Sequence, residues 1–419
     1  MNYKKIVMIA LAYVGVVTGA GLSSGQEVFQ YFVSFGSMGL VGVIVIGILH
    51  ALFGKIILSF GSFYRSSEHS EVLSRIAGPL VNRFLDFALI ASGFVLGFVM
   101  IAGAGANLNQ EFGLPTWVGA LICSLLVIGV SMLDFERVTQ AIGIFTPIIV
   151  AVIFALTIYT FWGKSYDWNV LNEFALQQPV SFPNIWVSVV NYYAICIMGA
   201  TAMAFVLGGE SMYVGEAGRG GMLGGAIIGV ITACTAFVLM ARVELAAVAD
   251  IPMQALVAEI NPMLGTLMTF VIFGMIFNTA ISLYYSLAKR FSNGSEKRFK
   301  WLMVILVAIG FGLSFAGFKT LVSTMFPILG YIGMVLMLLL AVAWVKNRKL
   351  IEEERVRRRQ MFDLMLKKHD DNQEFTHKHQ AELNQLVNES VIDNHEIRKD
   401  MQQMAKDTLE TSDTEENLR

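Results

Sequence analysis

Two glutamates in this chain lie in apolar surroundings, each directly after small residues: Glu27 in SGQE (24–27) and Glu210 in LGGE (207–210). A carboxylate deep in an apolar environment is costly, and it is by default a candidate for a functional group. A buried carboxyl group could hold a proton near neutral pH and so couple proton movement to another process. The first chemistry that the sequence indicates is therefore the binding of a proton or a cation.

A purely structural explanation of the same glutamates is equally open. Ser24-x-x-Glu27 has the spacing of a capping box, with Glu27 at the third position of a new helix. Glu210 follows Gly208 and Gly209, and a negative charge is favoured at the positive end of a helix that restarts there. Both explanations predict an interrupted helix at each glutamate.

The elements that must position these residues are long apolar segments. The chain has 419 residues, of which 55% are hydrophobic and 15% charged. Residues 346–419 hold 14 Lys/Arg and 17 Asp/Glu, whereas the first 345 residues hold 16 and 15. A helix of about 20 residues crosses about 30 Å of hydrocarbon. We therefore predict an all-α integral membrane protein with ten transmembrane segments: 6–35, 38–63, 82–107, 116–134, 138–162, 185–217, 221–243, 263–288, 299–317 and 321–345.

The distribution of Lys and Arg predicts the orientation. Fifteen of them fall on loops and ends of one side, and only Lys164, Arg242 and Lys319 fall on the other. Basic loops stay in the cytoplasm, so both termini are expected there, in a multi-pass protein of the plasma membrane. A net charge of −2 argues against a nucleic-acid partner. The absence of an H-E-x-x-H motif and of a nucleophile–base pair argues against an enzyme.

The sequence repeats itself at an offset of 183 residues. Gly25 then aligns with Gly208, Glu27 with Glu210, and EVLSRIAGPLVNRFLDF (71–87) with QALVAEINPMLGTLMTF (254–270). Because each repeat has five segments, the two halves enter the membrane from opposite sides, as in many secondary transporters. We therefore predict a core at 1–345, with repeat 1 at about 6–162 and repeat 2 at about 185–345, and a cytoplasmic tail at 346–419.

Segments 1 and 6 are the corresponding segments that contain glycine clusters. Counting 1.5 Å per residue from either end places residues 19–25 near the midplane, and Gly208 about 15 Å from the inner end. Glycine disfavours helix by about 1 kcal/mol relative to alanine, so both segments are expected to be broken. The alternative is that Gly15, Gly19, Gly21 and Gly25 mediate close helix packing.

The run VGVVTGAGLSSGQE, the GGE of segment 6 and the inverted repeat together resemble the leucine-transporter fold of the amino acid–polyamine–organocation superfamily. More narrowly, they resemble the bacterial membrane proteins called YkvI-like. The resemblance covers about residues 1–345. It implies that the breaks of segments 1 and 6 bind the solute, and the positions that match are Gly19, Ala20, Gly21, Ser23, Ser24, Gly25, Gly208, Gly209 and Tyr213.

In that fold, the backbone of segment 1 and hydroxyls of segment 8 often hold a sodium ion. Thr279 and Ser282 are three residues apart on one helix face, and with carbonyl groups near Ala20 they could supply hard oxygen ligands for Na⁺. The alternative is that both hydroxyls bond to carbonyl groups of their own helix. The coupling ion is thus Na⁺ at Ala20, Thr279 and Ser282, or H⁺ at Glu27 and Glu210, and no other cofactor is expected.

The tail is expected to be helical near the membrane, partly helical beyond, and disordered after about residue 407. The tail also has a seam of residues with 4-3 spacing, which could mediate self-association or bind a protein partner: Leu383, Val387, Ser390, Asn394, Ile397, Met401 and Met404. The alternative is a helical tail that is simply solvated. The function that these observations favour is ion-coupled secondary transport of a small solute, with an amino acid or related amine implied by the superfamily. The alternative is a ligand sensor with a transporter-like core and a signalling tail.

Overall fold

The computed structural model of the chain describes residues 3–18, 20–66, 68–132, 145–370 and 373–417, and these ranges are almost entirely helical. The first half comprises α1 (Tyr3–Val17), α2 (Ala20–Ser24), α3 (Gln26–Tyr31), a 3-10 turn (Val33–Phe35), α4 (Ser37–Tyr64), α5 (His69–Ile76), α6 (Pro79–Phe112), α7 (Thr116–Ser131), α8 (Phe145–Phe161) and α9 (Trp168–Leu176). The second half comprises α10 (Ile185–Gly209), α11 (Val214–Ala241), α12 (Val243–Val248), α13 (Pro252–Ile260), α14 (Pro262–Ser292), α15 (Glu296–Ser314), α16 (Phe318–His369), α17 (His377–Glu389) and α18 (Asn394–Asn417).

Six of the described helices are long and apolar enough to cross a membrane: α4, α6, α10, α11, α14 and α16. Two shorter apolar helices, α7 and α8, have 16 and 17 residues. The all-α membrane class predicted from the sequence is thereby confirmed. The count of ten spans and the domain limits remain predictions, and part of the predicted segment 5 (138–162) lies outside the described residues.

The two halves of the chain start on opposite sides of the helical bundle. We call the side on which α17 and α18 lie the tail side, and the opposite side the far side. Arg65, at the end of α4, donates a hydrogen bond to the Gly209 carbonyl at the end of α10, and it pairs with Asp400 of α18. Both helices therefore end on the tail side, and α10 begins on the far side. By contrast, α1 runs parallel to α11 and begins on the tail side, since Gly220 meets Ile9 and Gly224 meets Ala10.

Close glycine contacts join α4 and α11 along their length. A Cβ atom added at Gly221 would lie 2.2 Å from the Gly54 carbonyl oxygen, and one at Gly225 would lie 2.1 Å from the His50 carbonyl oxygen. Only glycine permits two helix backbones to approach so closely. These two helices pack with α1 and α10 into one group, while α6, α7, α14 and α15 pack into another.

The last membrane helix, α16, is a single helix of 52 residues that extends well past the bundle on the tail side. Pro327 lies within it, and because proline has no N–H, the Ser323 carbonyl one turn earlier loses its usual donor. The Ser181 hydroxyl donates to that carbonyl at 3.1 Å. Asn191 of α10 donates to the Pro327 carbonyl at 2.9 Å, so a neighbouring loop and helix satisfy the exposed backbone around the proline.

The predicted break within segment 6 is wrong. The helix α10 is continuous for 25 residues from its Asn184 cap, and Gly208 and Gly209 are its last two residues. At 1.5 Å per residue this helix is about 37 Å long, so it already spans the bilayer where it ends. The predicted segment 185–217 therefore joins one full helix, a turn and the start of α11.

The described part of the tail is largely helical, and α18 extends to Asn417. The disorder expected after about residue 407 remains a prediction. The predicted seam does not form an external coiled coil within the described residues. Its apolar members Leu383, Val387, Ile397 and Met401 are buried inside the chain itself, in one cluster with α16.

Candidate functional site

Segment 1 is interrupted twice in its middle, as the sequence predicted. The first interruption follows α1, where the Thr18 hydroxyl turns back to the Val14 carbonyl at 2.6 Å. The second is Gly25, whose φ of 78° lies in the left-handed region, which side chains with a Cβ rarely adopt. Gly19 lies outside the described residues, and for Ala20 and Gly21 the structure describes the backbone of the short helix α2.

A narrow cleft adjoins the first interruption, and in this conformation it is too tight to hold a water molecule. Thr18, Leu22 and Ser23 form one wall, and α8, α11 and α14 form the others through Ile153, Ile231, Met275 and their neighbours. These residues lie near the middle of their helices, so the cleft lies near the middle of the membrane. The predicted solute residue Ser23 lines it, and Ser24 is buried beside it.

Glu27 occupies the first turn of α3 and is 8% exposed. Among the described residues, no basic side chain pairs with it and no hydrogen bond reaches its carboxylate. The hydroxyls of Tyr31 and Tyr192 and the thiol of Cys196 lie close enough to interact electrostatically with it. The capping box predicted for Ser24 and Glu27 is not formed, because Gly25 is the cap residue and the Ser24 hydroxyl accepts from the Gln26 N–H at 3.2 Å. A position in the first turn still favours a negative charge.

Gln26 was not singled out from the sequence. Its side chain is fully buried, and both its amide nitrogen and its amide oxygen lack a hydrogen-bond partner among the described residues. Unsatisfied buried polar groups are rare in folded proteins, and each needs an explanation. The sequence feature that could have identified Gln26 as a site residue is its position between Gly25, which interrupts the helix, and the buried Glu27.

The helix α3 is held firmly in place by α10. The Ser188 hydroxyl donates to the Tyr31 carbonyl at 2.6 Å, and the Tyr31 hydroxyl donates to the Asn191 side chain at 3.2 Å. The Tyr31 and Tyr192 rings lie 5.1 Å apart. Because Asn191 also reaches α16 through Pro327, the restarted half of segment 1 is fixed to two other membrane helices.

The residues predicted on segment 6 do not join this site. Gly208 packs on the backbone of Leu58 and Gly209 on that of Ser66, both near the tail-side end of α4. Glu210 is exposed in the turn after α10, so it is not a carboxylate at membrane depth. Tyr213 caps α11 and packs edge-on against Phe362 of the tail. The expectation that Gly208, Gly209 and Tyr213 face the break in segment 1 is therefore wrong.

The hydroxyls predicted to hold Na⁺ lie on α14, which packs against α2. Thr279 donates to the Met275 carbonyl of its own helix at 3.0 Å, as the structural alternative proposed. Ser282 is half-buried one turn further. The described residues contain no group of three or more His, Cys, Asp or Glu that could hold a metal ion. The sodium site at Ala20, Thr279 and Ser282 remains a prediction.

A larger cavity of about 690 Å³ opens on the far side, where α6, α11, α12 and α13 end. Its floor contains a buried amide, Gln254, which donates to Glu111 at 2.7 Å and to Thr269 at 2.9 Å and accepts from Gln110 at 2.6 Å. Arg242 and Glu259 form an ion pair at its rim. The far side of the bundle therefore has a polar cavity, separate from the cleft beside the interrupted helix.

Comparison with solved structures identifies the fold as that of the leucine-transporter class. The chain superposes on an inward-facing conformation of Mhp1 over 82% of this chain and 77% of that one, with a TM-score of 0.56 and 13% identity. It also superposes on MhsT in complex with L-phenylalanine over 80% and 88% of the two chains, with a TM-score of 0.52 and 16% identity.

Two curated proteins of Bacillus subtilis (strain 168) are similar in sequence. The uncharacterized membrane protein YkvI is 24% identical over 335 residues, which cover 78% of this chain and 92% of YkvI. The uncharacterized protein YyaD is 24% identical over 331 residues, covering 79% and 94%. No family model matches the chain. The chain is therefore a helical membrane protein with a transporter fold, similar to YkvI and YyaD.

Proposed function

We propose that the chain is a secondary transporter of a small amine-bearing solute, an amino acid or a related amine, and that it works by alternating access around the interrupted segment 1. The observation that carries this proposal is the Glu27 carboxylate, buried where the helix restarts and unpaired among the described residues. A buried carboxylate requires a cationic partner or a proton. The fold supports the class, and MhsT, which shares it, binds L-phenylalanine.

The chemistry of the site suits a solute with an ammonium group. Glu27 would receive the ammonium, and the unsatisfied amide of Gln26 would donate to a carboxylate or accept from a second N–H group. The cleft beside Ser23 is otherwise apolar, with Leu22, Ile153 and Ile231 in its walls, so after it widens it would receive an aliphatic or aromatic side chain rather than a polar one.

Ion coupling forms the second part of the proposal. A proton on Glu27 would substitute for the solute ammonium between transport steps, whereas Na⁺ would bind at Ala20, Thr279 and Ser282. We further propose that the protein lies in the plasma membrane with both termini, which share one side of the bundle, in the cytoplasm. We assign it no enzymatic activity.

Thermal unfolding of the full chain in detergent tests the solute class. Amino acids, polyamines and uncharged analogues would each be added in Na⁺ and in K⁺, at pH 5.5 and at pH 7.5. A ligand at 100 times its dissociation constant should add about 2.7 kcal/mol of stability. We expect stabilisation by a compound with an ammonium group and none by its uncharged analogue.

Two matched variants assign the effect to the site. Glu27→Gln removes the charge and keeps the shape, so it should abolish the ligand-induced shift. Glu210→Gln makes the same change at the repeat-related but exposed glutamate, so the shift should persist. A ligand that stabilises the Glu27→Gln variant as much as the unmodified chain refutes the role of Glu27. A shift that requires Na⁺ and ignores pH assigns the coupling to the hydroxyls of α14.

A sensor is the second candidate, and the ordered tail favours it, because the tail contacts the helix ends directly. Uptake of the stabilising ligand into proteoliposomes separates the two functions. A transporter accumulates the ligand when an ion gradient is applied, while a sensor binds it without flux.

A further inference from the structure

The tail forms a folded unit whose core includes a residue of the membrane domain. The tail-side end of α16 packs with α17 and α18, and the buried cluster between them comprises Met361, Met365, Leu383, Val387, Ile392, Ile397, Met401, Ala405 and Met212. Met212 belongs to the turn between α10 and α11. The tail is therefore attached to the bundle by apolar contact as well as by its covalent link to α16.

A fully buried arginine reinforces this attachment. Arg358 of α16 donates to the Ser62 carbonyl at 2.8 Å, to the Phe63 carbonyl at 2.7 Å and to the Met212 carbonyl at 3.1 Å. The first two carbonyls lie in the last turn of α4, where a helix leaves its carbonyl groups without partners in the helix. One guanidinium thus joins three elements: the end of α4, the α10–α11 turn and the tail-side extension of α16.

The charge of Arg358 is balanced inside the tail. Glu354, also fully buried, accepts from the Arg358 Nε at 2.9 Å and from the Ser390 hydroxyl at 2.6 Å. Burial lowers the pKa of the Arg358 guanidinium, and the neighbouring Glu354 opposes that change. Both members of this pair lie on α16, so the pair remains intact if the tail separates; what separation would break are the three hydrogen bonds to the Ser62, Phe63 and Met212 carbonyls.

A second contact lies next to the first. Arg65, directly after α4, donates to the Gly209 carbonyl at 2.7 Å and pairs with Asp400 and Glu396 of α18. The same tail-side ends of α4 and α10 are therefore held from two helices of the tail.

We propose that the tail is an autoinhibitory latch, which keeps the tail-side path to the cleft at Thr18 closed until Arg358 and α18 separate from the ends of α4 and α10. Alternating access requires the helix ends on one side to part while those on the other side close. The helix α16 packs on α6 as well as on α10, so the Arg358 contact links the end of α4 to a helix that also touches the α6 group. While both contacts are made, the ends of α4 and α10 and the turn between α10 and α11 stay attached to the tail.

Thiol labelling tests this without any solute. In a full-length chain with Cys123, Cys196 and Cys234 replaced by alanine, Thr18→Cys places one thiol at the cleft. A membrane-impermeant methanethiosulfonate is applied from the tail side of vesicles. Arg358→Met should raise the labelling rate at least tenfold, while Arg355→Met should leave it unchanged. Arg355 is exposed on the same helix; its stem lies beside Gly215 of α11, but among the described residues its guanidinium pairs with Glu352 on its own helix.

A milder variant covers the case in which Arg358→Met fails to fold. Asp400→Asn removes one half-exposed partner of Arg65 and should raise labelling about threefold. Asp407→Asn, two turns further along α18, should not. Labelling that is unchanged in Asp400→Asn and in any folded Arg358→Met chain overturns the latch.

A thiol on the far side separates a shift in conformation from general loosening. Ala255→Cys lies in the far-side cavity and is labelled from that side. If the latch controls alternating access, its release closes this cavity, so labelling at Ala255→Cys should fall while labelling at Thr18→Cys rises. A rise at both positions indicates a loosened protein and overturns the proposal. Neither result bears on the solute class, which is tested separately by ligand stabilisation.

Discussion

The substitution Gly225→Ala should separate the two most closely packed helices of the bundle. Its new Cβ would lie 2.1 Å from the His50 carbonyl oxygen, whereas ordinary contacts begin near 3.4 Å. Because the colliding atom belongs to the α4 backbone, no side-chain rotation relieves the clash, and α4 and α11 must move apart by about 1 Å. Overpacking of this kind costs about 1–3 kcal/mol.

Gly312→Ala is the matched control, since Gly312 lies within α15 and a Cβ there meets no atom within 4 Å. Both alanines gain up to about 1 kcal/mol of helix propensity, so the difference between the variants isolates the packing cost. Reversible unfolding in mixed micelles, followed by intrinsic fluorescence, measures it. If Gly225→Ala unfolds at the same or a higher denaturant concentration than Gly312→Ala, the close packing of α4 on α11 is wrong.

Two further predictions concern the interrupted segment and the tail. Gly25→Ala should lower stability by more than Gly113→Ala in the same assay. Both glycines have positive φ, which costs a residue with a Cβ about 1–2 kcal/mol. The Cβ added at Gly25 would also lie 2.8 Å from the Met253 side chain, whereas one at Gly113 would have no atom within 4 Å. Equal effects would contradict the packing around α3. Arg358→Met should cost more than about 2 kcal/mol, because it removes the hydrogen bonds to the Ser62, Phe63 and Met212 carbonyls and one of the two arginine partners of Glu354. The exposed Arg355→Met should cost less than about 1 kcal/mol. Equal effects of the two substitutions would contradict the buried contact at Arg358.

The membrane class and the break in segment 1 could be predicted because their physical signals are local. Apolar length fixes a membrane helix regardless of its neighbours. At Gly25 the residue type, the adjacent serine and the following glutamate all favour an interruption, and the structure has one there.

The structure of segment 6 could not be predicted in the same way, because glycine serves two purposes, helix interruption and close helix packing, that a sequence alone does not distinguish. Gly25 supplies a left-handed backbone, while Gly208 and Gly209 allow a continuous helix to touch α4. Counting inward from Arg219 placed Gly208 near the midplane. Counting from Asn184, whose side chain caps α10 by accepting from the Val187 N–H at 3.1 Å, places it at the tail-side surface.

The tail contacts were equally hidden from the sequence. The pairing of Arg358 with Ser62, Phe63 and Met212 spans well over a hundred residues of chain and uses backbone carbonyls, which carry no sequence signature. The 4-3 spacing in the tail correctly indicated which apolar residues are buried. These residues pack, however, against α16 of the same chain and not against a second chain.

The continuous helix α16 also acts as a lever arm between the two faces of the membrane. Near its far-side end, Lys319 donates to the Ala247 carbonyl at 2.7 Å and its own carbonyl accepts from Gln30 of α3 at 3.4 Å. Arg358 lies 39 residues further along, or about 58 Å away. A tilt of only about 2° about the far end would displace the guanidinium by about 2 Å, which exceeds what its hydrogen bonds tolerate. A tilt of this size, caused at the far-side entrance, would therefore break a contact on the opposite face.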